Sequence, residues 1–212
     1  YRGIDCFKLA AALFVVGIHT SFLWDINPTV SLVATQVIAR VAVPFFFICT
    51  GFFYTKGMLK VPDAALGYLL GFNRKLLSLY AAWVALMLPF WVKRAIDAYG
   101  LSGKLILMLA RTILFDPGVL WYILALCVCS LAAYRSVRTG RLGGLFAAAC
   151  VFYLFGLFGD SYYGFVRDLP VVGDVYRAYF AVFAHVRKGL PFGLLFFALG
   201  VRFALREGRL AP

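Results

Sequence analysis

Lys8 and His19 stand eleven positions apart in an apolar run near the start of the chain. On an α-helix, at about 100° per residue, that offset turns through roughly 1100°, within about 20° of three full turns, so both side chains leave one face. At about 1.5 Å per residue the imidazole lies roughly 16 Å further along the axis than the ammonium. A cation at a membrane lip and a titratable base inside the bilayer, facing one cavity, suit chemistry on an anionic, membrane-delivered reagent. Each residue also has an ordinary reading. His19 is otherwise a core histidine bonded to a backbone carbonyl, and Lys8 a side chain that snorkels to the headgroups. Arg40, just before Pro44-Phe45-Phe46-Phe47, is either a buried counter-charge lining the cavity or an interfacial anchor.

The elements that must position these groups are membrane helices. Of 212 residues, 64% are apolar and 14% charged, with a mean hydropathy of +0.90, whereas a soluble domain carries about 25% charged residues. Long apolar stretches broken by charged connections predict an all-α, polytopic helical bundle, because a helix satisfies its own backbone in lipid. Six spans are expected: Leu9 to Trp24; a second building from Ser31 and strongly apolar from Val41 to Tyr54; Leu76 to Val92; Val119 to Tyr134; Gly143 to Phe158; and Leu190 to Leu205. Pro44 lacks a backbone donor and is expected to kink the second. The long connection from Gly159 to Lys188 is expected to cap an outer cavity.

The formal charge of +12 comes with no separate basic domain or recognition motif, so topology accounts for it and no nucleic-acid partner is expected. Twelve basic residues, Arg2, Lys8, Lys56, Lys60, Arg74, Lys75, Arg135, Arg138, Arg141, Arg202, Arg206 and Arg209, fall in one set of connections and helix ends, with the acids Asp5, Asp63 and Glu207; eight, Lys93, Arg94, Lys104, Arg111, Arg167, Arg177, Arg187 and Lys188, fall in the other with six acids, Asp116 among them, and Arg40 inside the second span completes the total. That asymmetry predicts a cytoplasmic amino terminus. Trp24-Asp25 follows the first span in place of a small-residue cleavage site, so the span is expected to be retained. The five cysteines read as small buried hydrophobes, and two distant histidines with no carboxylate inside a span give no metal site. Gly144 and Ala148 are expected to form a weak close-packing pair. His185, beside Arg187 and Lys188, reads as an interfacial surface residue and not as a second base.

The stretch from Arg2 to His19, with Asp5 three residues before Lys8 and His19 after ten more, resembles the opening of the acyltransferase family 3 membrane proteins. Val43-Pro44-Phe45-Phe46-Phe47-Ile48-Cys49-Thr50-Gly51-Phe52-Phe53 is similar to the family's second-span motif, and Leu120-Trp121-Tyr122-Ile123-Leu124-Ala125 resembles its later Trp-Tyr motif. Within the family, His19-Thr20-Ser21, Arg40 with the Pro44 motif, and the lysine-rich approach to the third span resemble the membrane half of vancomycin-resistance serine racemases. The chain reads as one such transmembrane domain over residues 1–212, with about six spans present of the family's ten or so and a shortened carboxyl end expected.

The resemblance implies transfer of an acyl group, commonly acetyl, from cytoplasmic acyl-coenzyme A to a hydroxyl on an extracytoplasmic glycan or similar cell-envelope acceptor, in the cell membrane. It makes His19 the catalytic base and Lys8 its motif partner. A neutral imidazole, favoured by desolvation in a dry cavity, suits proton abstraction from a hydroxyl. Lys8 with Arg74 and Lys75 is expected to hold the coenzyme phosphates, although Arg74-Lys75-Leu76-Leu77-Ser78 lacks the family's second Arg three residues on. Arg40, Trp121 and Tyr122 are the substrate-binding candidates, the two aromatics being otherwise ordinary members of an interfacial belt. The alternative is a membrane module of a serine racemase-like protein that takes up L-serine, with His19 and Arg40 on its carboxylate.

Overall fold

A computed structural model describes residues 1–20, 23–115, 117–183, 185–186 and 188–210, the last three by backbone alone. Ser21 of the His19 motif, and Asp116 and Arg187 of the charge count, lie outside the described residues. Among the described residues every element is helical. The order is α1 (Arg2–Thr20), α2 (Pro28–Leu32), a π-helical segment (Val33–Ile38) and a 3-10 turn (Ala39–Val41) leading into α3 (Ala42–Leu59), then a 3-10 turn (Pro62–Ala64) leading into α4 (Ala65–Tyr99). There follow α5 (Gly103–Phe115), a 3-10 turn (Gly118–Leu120) leading into α6 (Trp121–Arg138), α7 (Leu142–Gly159), α8 (Tyr163–Val166), α9 (Val172–Val182) and α10 (Leu190–Leu210).

Among the described residues, five stretches are long and apolar enough to cross a membrane: Arg2–Thr20, Pro28–Leu59, Pro62–Tyr99, Gly103–Arg138 and Leu142–Gly159. The sixth expected span is helical as the first part of α10, but Arg202, Arg206 and Glu207 crowd its later turns and it is not one of the five. On α4, Leu66, Leu70, Leu77, Trp83, Leu86 and Phe90 are all exposed. A helix so apolar on its outer face is stable in hydrocarbon and not in water. The chain is a multi-pass, all-α membrane protein.

Several boundaries differ from expectation for local reasons. The first helix stops at Thr20, and the Asn27 side chain then caps α2 by accepting from the backbone N–H of Thr29 and Val30 at 3.0 and 3.1 Å. The third span is part of a 35-residue helix, roughly 52 Å long against a hydrocarbon core of about 30 Å. Lys93 and Arg94 interrupt its hydropathy without interrupting its hydrogen bonds. The region after it, read as a connection, forms α5. The distortion in the second span lies ahead of Pro44: the π-helical and 3-10 segments run to Val41, directly before α3 begins at Ala42, and the proline ring excludes an ordinary bond to the carbonyl four residues earlier, that of Arg40.

The described chain divides into two compact units, Tyr1–Gly57 with Phe196–Pro212, and Met58–Leu195. In unit 1, the backbones of α3 and α10 meet directly. A Cβ on Gly51 would collide with the Phe197 carbonyl, and one on Gly200 with the Ile48 carbonyl and Phe52 N–H. Glycine therefore sets the helix spacing there, with Phe47, Phe197, Val201 and Ala204 buried in the same unit. By contrast, Gly144 meets nothing, and Gly144 and Ala148 are exposed beside the buried Leu145 and Ala149, so that expected packing pair is not used. Of the cysteines, Cys49 and Cys129 are buried, whereas Cys6 and Cys150 are exposed. That departs from a uniform reading of them as core residues.

Unit 2 is built on α4 and α6. The Asn73 amide donates to the Ser130 hydroxyl at 3.1 Å and to the Leu69 carbonyl at 3.2 Å, and the wholly buried Ser130 donates to the Cys127 carbonyl at 2.8 Å. Tyr80 of α4 donates to the Ile113 carbonyl of α5. The connection after α7 is no open loop: Tyr176 of α9 stacks on Phe155 at 4.7 Å and donates to its carbonyl at 2.9 Å, around a small core of Val166, Tyr176 and Val186. Gly159 is the seat of that cap, because a Cβ there would fall 2.6 Å from the Tyr176 ring and 2.7 Å from Val186.

Candidate functional site

Unit 1 holds three of the expected residues. Lys8 and His19 both lie on α1, as their spacing requires, and α1 packs along the 3-10 turn that carries Arg40, with Ala11, Ala39 and Ala42 buried. Small side chains let these backbones approach. Counting 100° per residue from Ala11 puts Lys8 and His19 at the edge of the packed face of α1. Lys8 is half-buried. Its ammonium donates to the Asp5 carboxylate at 3.0 Å and sits 4.7 Å from the centre of the Phe53 ring on α3. The Asp that precedes the lysine by three residues is thus its electrostatic partner, one helical turn away.

His19 is exposed within unit 1 and is not enclosed by that unit's own residues. Arg40 is half-buried, and its guanidinium donates to the Gln36 side chain one turn back, in the π-helical segment. Three groups, a carboxylate-held cation, an imidazole and a guanidinium, are carried by two elements in contact. A second cation stands elsewhere in the unit: Lys56 pairs with Glu207 at 2.9 Å, donates to the Tyr1 hydroxyl at 2.6 Å, and lies over the Tyr1 and Phe52 rings at 5.1 and 5.4 Å. Sequence reading counted Lys56 and Glu207 only as topology charges, because residues 151 apart carry no periodic signal of contact.

Unit 2 holds the other four. Arg74 and Lys75 are exposed. They were expected at the start of the third span, but α4 begins at Ala65, so they lie about two and a half turns inside it, directly after the Asn73 that anchors α4 to α6. Trp121 and Tyr122 begin α6 and pack edge to face at 6.3 Å. Only Trp121 lines the cavity found there, about 340 Å³ in volume, which Tyr122 does not reach. That cavity is walled by the ends of α5 and α9, the starts of α6 and α10, and the middle of α7, and the connection from Gly159 to Lys188 contributes Tyr179, Phe183, His185 and Lys188 to it. Burial pushes the Tyr179 phenol up, which keeps it neutral. His185 is exposed as expected, yet it also faces this cavity. Sequence reading missed that, since the walls come from segments some seventy residues apart.

Comparison with known proteins gives a family. The family model of the acyltransferase domain, acyltransferase 3, matches residues 1–210. Two proteins of Enterococcus faecalis named amino-acid racemase are 34% and 31% identical over 94% and 98% of this chain, and a serine/alanine racemase of Enterococcus gallinarum is 33% identical over 94% of it. The chain spans only 27% to 30% of the length of these relatives. No solved structure matches.

Proposed function

The chain belongs to the acyltransferase 3 family, and from that premise we propose that it moves an acyl group, acetyl above all, from cytoplasmic coenzyme A to a hydroxyl on an extracytoplasmic glycan or other cell-envelope acceptor. His19 takes the proton of the acceptor hydroxyl, the oxygen attacks the thioester carbonyl, the C–S bond breaks, and the thiolate takes up that proton from the imidazolium and leaves as coenzyme A. Lys8 meets the coenzyme phosphates as a cation. Arg40 orients the acceptor. The amino terminus is cytoplasmic, in the cell membrane. The observation that carries this reading is the family match over nearly the whole chain, together with Lys8 held by Asp5 on the helix face it shares with His19. The test is release of coenzyme A from acetyl-coenzyme A by the purified full-length protein given membrane extract as acceptor, with His19→Ala alongside. Release by the parent and none by the variant is expected, and equal release by both overturns the role of His19.

A second reading is favoured by the names of the relatives. In it, the same elements form the membrane module of a racemase-like protein and admit L-serine, with Arg40 on the carboxylate. Serine accumulation in vesicles that needs Arg40 and ignores coenzyme A would replace the first reading with this one.

A further inference from the structure

We propose that residues 160–182, which follow α7, lie in the membrane surface, with an apolar edge of Tyr162, Phe165, Leu169, Val171, Val172 and Val175 sunk among the headgroups and upper chains of the lipid. A continuous line of exposed rings leads into that edge. Phe158, on the last turn of the membrane-crossing α7, has its ring centre 6.1 Å from that of Tyr162, and Tyr162 stands 6.2 Å from Phe165, which is 77% exposed. The exposed apolar surface of α7, which also carries Val151 and Leu154, therefore does not stop at Gly159 but passes onto α8. Aromatic rings gather at the membrane boundary, where an apolar body meets lipid while a polar tip stays wet.

The periodicity of α9 points the same way. At about 100° per residue, the buried Gly173 and Tyr176 and the half-buried Phe180 share one arc, the exposed Val172, Val175 and Val182 share the arc beside it, and Asp174, Arg177 and Ala181 lie opposite. The apolar arc is thus wider than the protein covers, the form of a helix laid in a membrane surface. Arg167 is held by Asp168 at 3.0 Å and Arg177 by Asp174, the paired state in which a charge borders hydrocarbon at least cost. The backbone supplies a separate sign. Val171 has φ +65°, a left-handed conformation that is costly for a β-branched residue, and the residue is 71% exposed. Glycine or asparagine would form that turn in water with less strain, whereas a valine gains there once its methyls leave water. Continuity with α7 selects lipid over a second protein as the occupant, because the same surface already faces hydrocarbon along the span. This placement is independent of acyl transfer, since position in the bilayer is read without it.

The test reads depth by fluorescence. The full-length protein is reconstituted in phosphatidylcholine vesicles whose chains carry bromine near the glycerol end, and separately in unbrominated vesicles with acrylamide in the water. The emission that Phe165→Trp and Val175→Trp each add to the parent's is compared with that added by Ala181→Trp, on the opposite side of α9 and also exposed. Bromine should quench the first two several-fold more than the third, and acrylamide should reverse the order. Acrylamide quenching all three alike, with bromine reaching none, would put the segment in water and overturn the proposal. Bromine reaching all three equally would remove the sidedness and overturn it as well. If neither quencher reaches the Phe165→Trp and Val175→Trp signals, protein covers the edge and lipid is the wrong occupant. Should either variant fail to insert, Val172→Trp, half a turn round the helix from Ala181, takes its place under the same outcomes.

Discussion

Unit 1 is closed by backbone and unit 2 by aromatic side chains. In the first, Gly51 and Gly200 bring α3 and α10 so close that a single added carbon would strike a main-chain atom. In the second, a stack of Phe155, Tyr176, Tyr179 and Phe183 holds a cap over α7 and leaves a hollow beside it. Main-chain contact of the first kind fixes helices rigidly, which suits the proposed function, in which Lys8, His19 and Arg40 act from set positions. Ring stacking encloses volume, which suits holding a ligand body. Under the proposed function, unit 1 is the presenting side, and unit 2 encloses a hollow.

The largest effect expected lies on the presenting side. His19→Ala should lower acyl transfer by about 10²–10⁴-fold, the range for loss of a general base, while membrane insertion and the thermal midpoint in detergent stay near the parent's because the ring is exposed. Near-parental product formation would remove His19 from the chemistry. Next come the substitutions that test the packing contrast itself. Gly51→Ala and Gly200→Ala should each cost about 1–3 kcal/mol as overpacking against main chain that has nowhere to move, whereas Gly144→Ala should be neutral or slightly stabilising, since nothing lies near it and alanine favours helix. Comparable thermal midpoints for all three would refute the main-chain crossing. In unit 2, Gly159→Ala should cost less than either, because the Tyr176 ring and Val186 that it would meet are side chains able to shift. A dye that fluoresces on exposed apolar surface should report the loosened cap.

The positions where sequence reading succeeded and failed follow from what kind of signal each contact leaves. Lys8 and His19 share a helix, so a period of 3.6 residues relates them, and the Asp5–Lys8 ion pair is readable from the same period. The ends of α4 and the whole of α5 were hidden because hydropathy falls at Lys93, Arg94 and Lys104, while backbone hydrogen bonding does not depend on it. Gly51 sat inside a quoted motif, but a glycine in an apolar run does not say which backbone it meets. Gly144 looked like a better packing residue and faces outward. The cavity was out of reach altogether. Its walls come from residues 114 to 128, 152 to 155 and 179 to 191, and no local pattern binds these together.

A smaller effect separates recognition from catalysis within unit 1. Lys8→Ala should raise the KM for acetyl-coenzyme A several-fold with less change in kcat, and Lys8→Arg should recover most of it, since either cation neutralises a phosphate and both can lie over Phe53. If the two variants match the parent in both constants, Lys8 serves only its contacts with Asp5 and the ring.

The smallest effect expected concerns the other lysine over an aromatic ring. Lys56 resembles Lys8 in its local contacts: a carboxylate at about 3 Å, from Glu207, and a ring face nearby. It differs in joining segments far apart in sequence. If ion pairing held unit 1 together, Lys56→Met should be among its worst substitutions. The side chains of Lys56 and Glu207 are 33% and 41% exposed, however, and a pair so open to its surroundings gives back in desolvation and lost side-chain freedom most of what attraction supplies. The methionine stem also keeps the contact with the Tyr1 and Phe52 rings. Lys56→Met should therefore shift the thermal midpoint by a small fraction of the Gly51→Ala shift, and raising the salt concentration should shrink the difference further. A loss equal to that of Gly51→Ala, persisting in high salt, would show that charge, and not main-chain contact, closes this unit.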